Sequence, residues 1–314
     1  MTNLTETKLP ELTKIKLGTR GSPLAMAQAY EVRDRLQDTH KGLEVEVIEI
    51  KVLGDQILDR PLSEVGGKGL FVKELDDAQL DGRIDIGVHS MKDLETTMPD
   101  GIAIRAVLPR EDVRDAFISK KYKSLEDMPA GAVVGTSSLR RQAIILNKRP
   151  DLEVVTFRGN VQTRLKKLED GVADATLLAV AGLNRLGSEA EITQALDPRF
   201  MLPAAAQGAI AVTCRENDVN TALILAALND EISEARVTAE RAMLAELDGS
   251  CRTPIAALAT IKDNFQLVLR CLVARPDGKR AIQLKRTGHA IHAAAVGKHA
   301  GEELRKEMGE SFFD

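Results

Sequence analysis

The stretch Lys14-Ile15-Lys16-Leu17-Gly18-Thr19-Arg20-Gly21-Ser22-Pro23 decides the fold class. Lys14–Leu17 alternates polar and apolar residues, the period of a β-strand. Gly18-Thr19-Arg20-Gly21 then turns the chain, and Ser22 before Pro23 reads as a helix N-cap with proline at the first helical position. Ala25, Ala29, Val32 and Leu36 give the following helix one apolar face. Strand, glycine turn and capped helix make a place where backbone N–H groups and the helix dipole can receive an anion. Arg20 lies in that turn.

Further along, the same frame recurs. Ala132–Gly135 reads as a strand, Thr136-Ser137-Ser138 as a capping turn, and Leu139, Ala143 and Leu146 as the apolar face of a helix. Gly171-Val172-Ala173-Asp174 likewise echoes Gly82-Arg83-Ile84-Asp85. Between these lie strands at Leu43–Val52, at Ile102 to Leu108 and at Glu153–Phe157. Helix faces are carried by Phe71, Leu75 and Ala78, and by Val161, Leu165 and Leu168. Strands and helices that alternate in both halves predict two α/β lobes of similar plan. The charged Pro109-Arg110-Glu111-Asp112 marks a crossing to the second lobe, and Pro203–Gly208 leads back through a strand at Ala209–Thr213. A helix with Val237, Leu244 and Leu247 follows, then strands at Ile255–Ile261, Gln266–Ala274 and Ala281–Lys285. Asp277-Gly278 is a hairpin turn, and Ile291–Glu307 is helical. The expected units are 1–108 with 205–226, then 109–204, then a small α+β unit over 227–314.

Composition bounds the function. The 314 residues are 44% hydrophobic and 29% charged with a net charge of -4, so no global basic field recruits nucleic acid and any anion site must be local. Three cysteines without a C-x-x-C pair exclude a disulfide framework and a cysteine-rich zinc module, and the five histidines form no H-E-x-x-H. No metal is expected. Met1–Pro10 is polar and reads as neither signal nor anchor, and no run approaches a membrane span. A cytoplasmic location is the default expectation.

Chemistry is expected at Gly82–Asp93. Ile84, Ile86 and Val88 alternate with Asp85, Gly87 and His89 as a short strand, which ends on Lys92-Asp93. In open α/β sheets ligands gather beyond the carboxyl ends of the strands, and a carboxylate beside a lysine there is a candidate acid/base group. Arginines recur at the same kind of position: Arg20, Arg140, Arg141 and Arg158, with Arg164 in the next helix and Arg185 after the following strand. Such guanidinium forks bind carboxylates bidentately, so the set reads as a cleft for a polycarboxylate or polyphosphate. Gly66-Gly67-Lys68-Gly69 lacks Walker spacing and reads as a substrate-contacting loop. Cys214 and Cys271 sit in apolar strands and read as inert. Cys251, in the Gly249–Pro254 loop beside Arg252, is the reactive thiol, an attachment point rather than a redox partner.

Several motifs in order resemble porphobilinogen deaminases: Val65–Lys73, His89-Ser90-Met91-Lys92-Asp93, Gly135–Gln142, Arg158-Gly159-Asn160, Ala179–Gly187, Ala239-Glu240-Arg241 and the Gly249–Pro254 cysteine loop. The resemblance implies two lobes of the type II periplasmic-binding-protein-like α/β fold plus a small α+β C-terminal domain. It implies a dipyrromethane cofactor joined by a thioether to Cys251 and contacted by Lys92, Asp93, Thr136, Ser138, Arg140, Arg141 and Arg164. Substrate contacts would come from Arg20, Ser22, Lys68, Phe71, Arg158 and Arg185, and catalysis from Asp93. The implied reaction deaminates four porphobilinogen molecules and joins them head to tail into the linear tetrapyrrole hydroxymethylbilane. A carboxylate about 4 Å from the cation left by ammonia loss contributes roughly 4 kcal/mol at an effective dielectric near 20, about a thousandfold in rate if realised only in the transition state. The chain departs from the family pattern at Glu64, often lysine, at Leu94-Glu95-Thr96-Thr97, where a proline is usual, and at Ser250, usually glycine. The competing expectation is a non-catalytic polycarboxylate sensor on the same two-lobed plan, with no use for Cys251.

Overall fold

The computed structural model describes residues 12–52, 72–249, 253–309 and 312. Lys68, Phe71, Cys251 and the departures Glu64 and Ser250 lie outside the described residues.

The first sheet is built from β1 (Lys14–Thr19), β2 (Glu44–Glu49), β3 (Ile86–Ser90), β4 (Ile102–Val107) and β10 (Ile210–Arg215), in the order β2-β1-β3-β10-β4. The second contains β5 (Asp115–Ile118), β6 (Val133–Gly135), β7 (Glu153–Val155), β8 (Ala175–Ala179) and β9 (Gln194–Ala195), in the order β7-β6-β8-β5-β9. In each, four strands point the same way, and the strand that follows a crossing runs antiparallel between two of them: β10 between β3 and β4, β5 between β8 and β9. An antiparallel strand begins where its parallel neighbours end. Ile210 therefore pairs with Ser90, and Asp115 with Ala179, so both crossings deliver residues to the carboxyl ends of the sheets.

Helix α1 (Pro23–Thr39) has Ser22 as its N-cap, accepting from the Ala25 amide, and buries Ala29, Val32 and Leu36 as the spacing predicts. α2 is Lys73–Leu80. α3 (Leu139–Lys148) is capped by Ser138, but its buried side is not the predicted one. Leu139 and Leu146 are only half-buried, whereas Arg140, Arg141, Ala143, Ile144 and Ile145 face inward. The arginines turn in because a buried carboxylate waits for them. β2 also stops at Glu49, short of the expected Val52; Ile50 and Val52 are buried without being paired in the strand. β3 is covered on both faces, by α1 against Ile86 and Val88 and by α2, whose Gln79 lies against Gly87 beside His89. Its alternation thus separates two interior faces, and His89 is 5% exposed with its Nε2 3.1 Å from Thr213 Oγ1.

The echoed motif is a structural repeat. Gly82 and Gly171 follow α2 and α4 (Val161–Glu169) with φ of +80° and +75°, a conformation that favours glycine. Three residues on, Asp85 and Asp174 each accept from the backbone of the neighbouring strand, Lys16 N at 2.9 Å and Val133 N at 2.9 Å.

After α5 (Val180–Arg185) and α6 (Val219–Ala226), α7 (Glu231–Glu246) and α8 (Ala293–Met308) pack on a three-stranded antiparallel sheet. Its strands are β11 (Ile255–Ile261), β12 (Gln266–Ala274) and β13 (Ala281–His289). Both of its faces are buried. Ala256, Leu258, Leu272 and Ala274 join the core of the second lobe with Phe117, Val134 and Ile144, while Ala257, Ala259, Leu267 and Leu269 meet Met243, Val296 and Leu304. Cys271 and Cys214 are buried, and burial raises both thiols, Cys271 to about 12, as expected of inert residues.

The first crossing is fastened by Arg110. Its guanidinium, fully buried, grips the equally buried Glu240 of α7 at 2.7 and 2.9 Å. Glu240 also accepts from the amides of Ala206 and Ala259, so one carboxylate ties together both crossings, α7 and β11. Glu240→Ala leaves Arg110 buried without its partner. The expected loss is about 3–5 kcal/mol of stability in urea unfolding, and a variant as stable as the parent would show the tie to be dispensable.

Candidate active site

At the carboxyl end of β3 the chain tightens into a 3-10 turn, Met91–Asp93. Met91 is buried and anchors the turn, which leaves Lys92 half-buried and Asp93 exposed. The segment after Asp93 is held by Arg241 of α7, whose guanidinium donates to the carbonyls of Leu94, Glu95 and Thr96. Burial pushes Arg241 down to about 10. Main-chain carbonyls are supplied by any residue, so the unusual Leu94-Glu95-Thr96 sequence keeps this support.

Across from the turn, Asp115 opens β5 fully buried. Arg140 reaches its two oxygens at 2.8 and 3.2 Å, and Arg141 binds Oδ1 through Nε and Nη2 at 3.0 and 2.7 Å. Burial opposes ionisation of Asp115, but the two guanidiniums outweigh it and hold the carboxyl well below the usual range. Remaining donors go to carbonyls, Arg140 to Leu202 and Arg141 to Leu177. One carboxylate shared by two guanidiniums leaves an excess of positive charge. The buried Nε of Arg140 has no hydrogen-bond partner among the described residues.

Lys92 joins this cluster through Gln207. Its ammonium lies 3.4 Å from Gln207 Oε1, while the Gln207 amide donates to Val113 O at 2.8 Å and lies 3.2 Å from Asp115. Burial, the largest influence, pushes Lys92 down to about 8; Asp93 and Asp115 oppose the shift, and Arg141 and Arg140 add to it. Arg164, half-buried on α4, donates to Gly159 O and is pushed down to about 10 by burial, then by Arg141 and Arg158, with Asp93 opposing. Arg20 bears on the buried His89, which burial first and Arg20 second push down to about 4. The hydroxyls cap rather than reach out: Ser138 accepts from the Arg141 amide, and Thr136 from the Ser138 amide.

The structure thus brings Lys92, Asp93, Arg140, Arg141, Arg158 and Arg164 within one electrostatic neighbourhood, with Arg20 and Ser22 at the adjoining end of β1. Arg185 is engaged elsewhere. Its guanidinium pairs with Glu31 of α1 at 3.1 Å and donates to Gly208 O, bridging the two lobes. Asp115 and Gln207 were not anticipated. The available signal was an aspartate opening the apolar run Asp115-Ala116-Phe117-Ile118, where an unpaired charge could not stay.

Fold and site together define a two-lobed α/β protein with a cluster of cations at the carboxyl ends of its sheets. Family models described as porphobilinogen deaminase, dipyromethane cofactor binding domain, and porphobilinogen deaminase, C-terminal domain, match residues 15–222 and 234–306. The chain belongs to the porphobilinogen deaminase family. It is 54% identical over 312 residues to the porphobilinogen deaminase of Paracoccus denitrificans (strain Pd 1222), covering 98% of this chain and 99% of that one. It is 52% identical over 310 residues to the chloroplastic porphobilinogen deaminase of Oryza sativa subsp. japonica, covering 97% and 87%. A more distant likeness is to an ABC transporter periplasmic substrate-binding protein from Coxiella burnetii, 16% identical with a TM-score of 0.44 over 68% of this chain and 91% of that one. Among the described residues no helix is long and apolar enough to cross a membrane, and no cluster of His, Cys, Asp or Glu could hold a metal ion.

Because Lys92 gives up its proton near 8 instead of 10.5, its charge is present at neutral pH and lost as the pH rises through that value. Affinity for a small dicarboxylate is expected to fall across that range, and Lys92→Gln to flatten the fall. Titration calorimetry reads both, and an unchanged slope in the variant would remove Lys92 from the anion site.

Proposed function

We propose that this chain is a hydroxymethylbilane synthase, a transferase that deaminates four porphobilinogen molecules and joins them head to tail on a covalent dipyrromethane primer. The observation that carries the reading is a cationic cluster with the carboxylate of Asp93 set among its charges. Each porphobilinogen bears an acetate and a propionate, so both primer and growing chain are polycarboxylates. The donor set fits such a group: an arginine pair with charge to spare beyond Asp115, an unpaired buried Nε on Arg140, and Lys92 and Arg164 beside them. When bound, the dipyrromethane supplies the terminal pyrrole carbon to which the first unit is joined, and Cys251 is its proposed attachment point.

This chain's residues divide the work. Arg140, Arg141, Arg164 and Lys92 hold the primer's carboxylates, with Ser138 and Thr136 shaping the turn that presents them. Arg20, Ser22, Arg158, Lys68 and Phe71 are assigned to the incoming porphobilinogen. Arg185 keeps that assignment only if its pair with Glu31 opens. The C–N bond of porphobilinogen, its amine protonated, breaks with the bonding electrons leaving on nitrogen as ammonia, and the freed methylene carbon is joined to the terminal pyrrole carbon with release of that carbon's proton. Asp93 balances the positive charge left on the pyrrole and takes part in moving its proton. Carboxylate-bound cations fix the substrate beside that one group, which supplies orientation. Residues 1–108 with 205–226, 109–204 and 227–314 are the proposed domains, and a cytoplasmic monomer the proposed state.

Intact mass spectrometry tests the reading directly. The purified protein is expected to exceed its sequence mass by one dipyrromethane, and Cys251→Ser to lack the increment; an active protein without it would sink the proposal, as would a sensor that never carries a pyrrole. Asp93→Ala is expected to keep the fold and lose about a thousandfold in ammonia release. Near-normal release would remove Asp93 from the chemistry.

A further inference from the structure

A second cationic concavity, lined by none of the residues assigned to the reaction site, lies between the carboxyl end of α3 and strands β12 and β13. Its volume is about 180 Å³. The floor is apolar, with Ile144, Leu202 and Leu272 among its residues, and Lys148, Arg199, Arg270 and Lys285 stand around it. No aspartate or glutamate lines it. Arg199 is partly neutralised by Asp197, which stands outside the lining and also feels Arg270. Lys148 and Lys285 have no ion pair among the described residues.

We propose that this cavity is a binding site for a small organic anion with an apolar body. Isolated surface lysines are ordinarily just solvated, but here two of the cations are already held in place. Arg270 donates to Pro198 O at 3.1 Å, and the Lys148 ammonium sits 4.8 Å from the centre of the Phe200 ring. Side chains fixed before a ligand arrives lose less freedom on binding. The volume is below the roughly 300–1,000 Å³ of sites for drug-sized ligands, so it suits one substituted ring rather than an extended molecule. The cations select an anion and the floor rewards an apolar body. Lys148 at the rim of the cavity is seven residues along α3 from Arg141, about 10 Å. None of the residues assigned to primer and substrate lines the cavity, although the Leu202 carbonyl on its floor accepts from Arg140.

Hydrogen–deuterium exchange of the full chain with phenylphosphonate tests this. The ring-bearing anion is expected to slow exchange at 198–202 and 270–285, while benzyl alcohol and inorganic phosphate, each lacking one half of the recognition, protect these segments far less. Lys285→Glu and, separately, Lys148→Glu are expected to weaken the protection roughly tenfold while porphobilinogen turnover stays near the parent level. No protection in either segment, equal protection by benzyl alcohol or by phosphate, or full protection in both variants would each overturn the assignment.

Discussion

The sharing of Asp115 by Arg140 and Arg141 is the constraint on which the rest of the site depends. Two guanidiniums side by side on the first turn of α3 repel each other, and their burial adds to the cost. A single fully buried carboxylate makes the arrangement possible without cancelling it. What remains is a fixed positive field that solvent cannot relax away, which distinguishes it from a cluster of mobile surface lysines. Asp115 can serve only because β5 runs against its neighbours and so starts where they stop.

Topology and electrostatics are therefore one problem in this molecule. Each crossing between lobes ends in an antiparallel strand, and each brings polar groups to the carboxyl ends of the sheets: Asp115 by the first, Gln207 by the second. Gln207 then connects the Asp115 cluster to Lys92 on the opposite lobe. Arg110, Glu240 and Arg241 hold this arrangement from behind through backbone amides and carbonyls, a grip indifferent to the side chains it passes. The third unit contributes rigidity as well, since one face of its sheet is continuous with the second lobe's core.

Much of this was legible in the residues. Ser22 and Ser138 cap the helices they were expected to cap, Asp277-Gly278 turns the final hairpin, and the expected strands are present, although β2 and β7 stop short and β13 runs on to His289. These are local signals, set by neighbours within a few residues. The inward face of α3 was expected to be Leu139, Ala143 and Leu146, and Arg140 and Arg141 were assigned to a ligand rather than to a buried carboxylate of the chain itself. Their counter-ion is 25 and 26 positions away, and no period in the helix announces it. His89 was placed on a strand, but the reading began it at Ile84 rather than Ile86, and only the packing of α1 and α2 on β3 reveals that both faces are interior. The glutamate partner of Arg110 is 130 residues distant. Charges buried by long-range partners are what a linear reading loses.

Asp85 and Asp174 carry a different consequence. Both sit at the amino ends of their strands, each clasping the strand beside it, and neither is near the rim where ligand is handled. In each half, the joinery occupies one edge of the sheet and the chemistry the other. A blueprint divided in this way can be copied and then specialised, since the working edge is free to change sign while the joints stay as they were. One copy ends its third strand on an acid, and the other surrounds that acid with bases. The site forms where two halves of one plan differ at the working edge and agree at the joints.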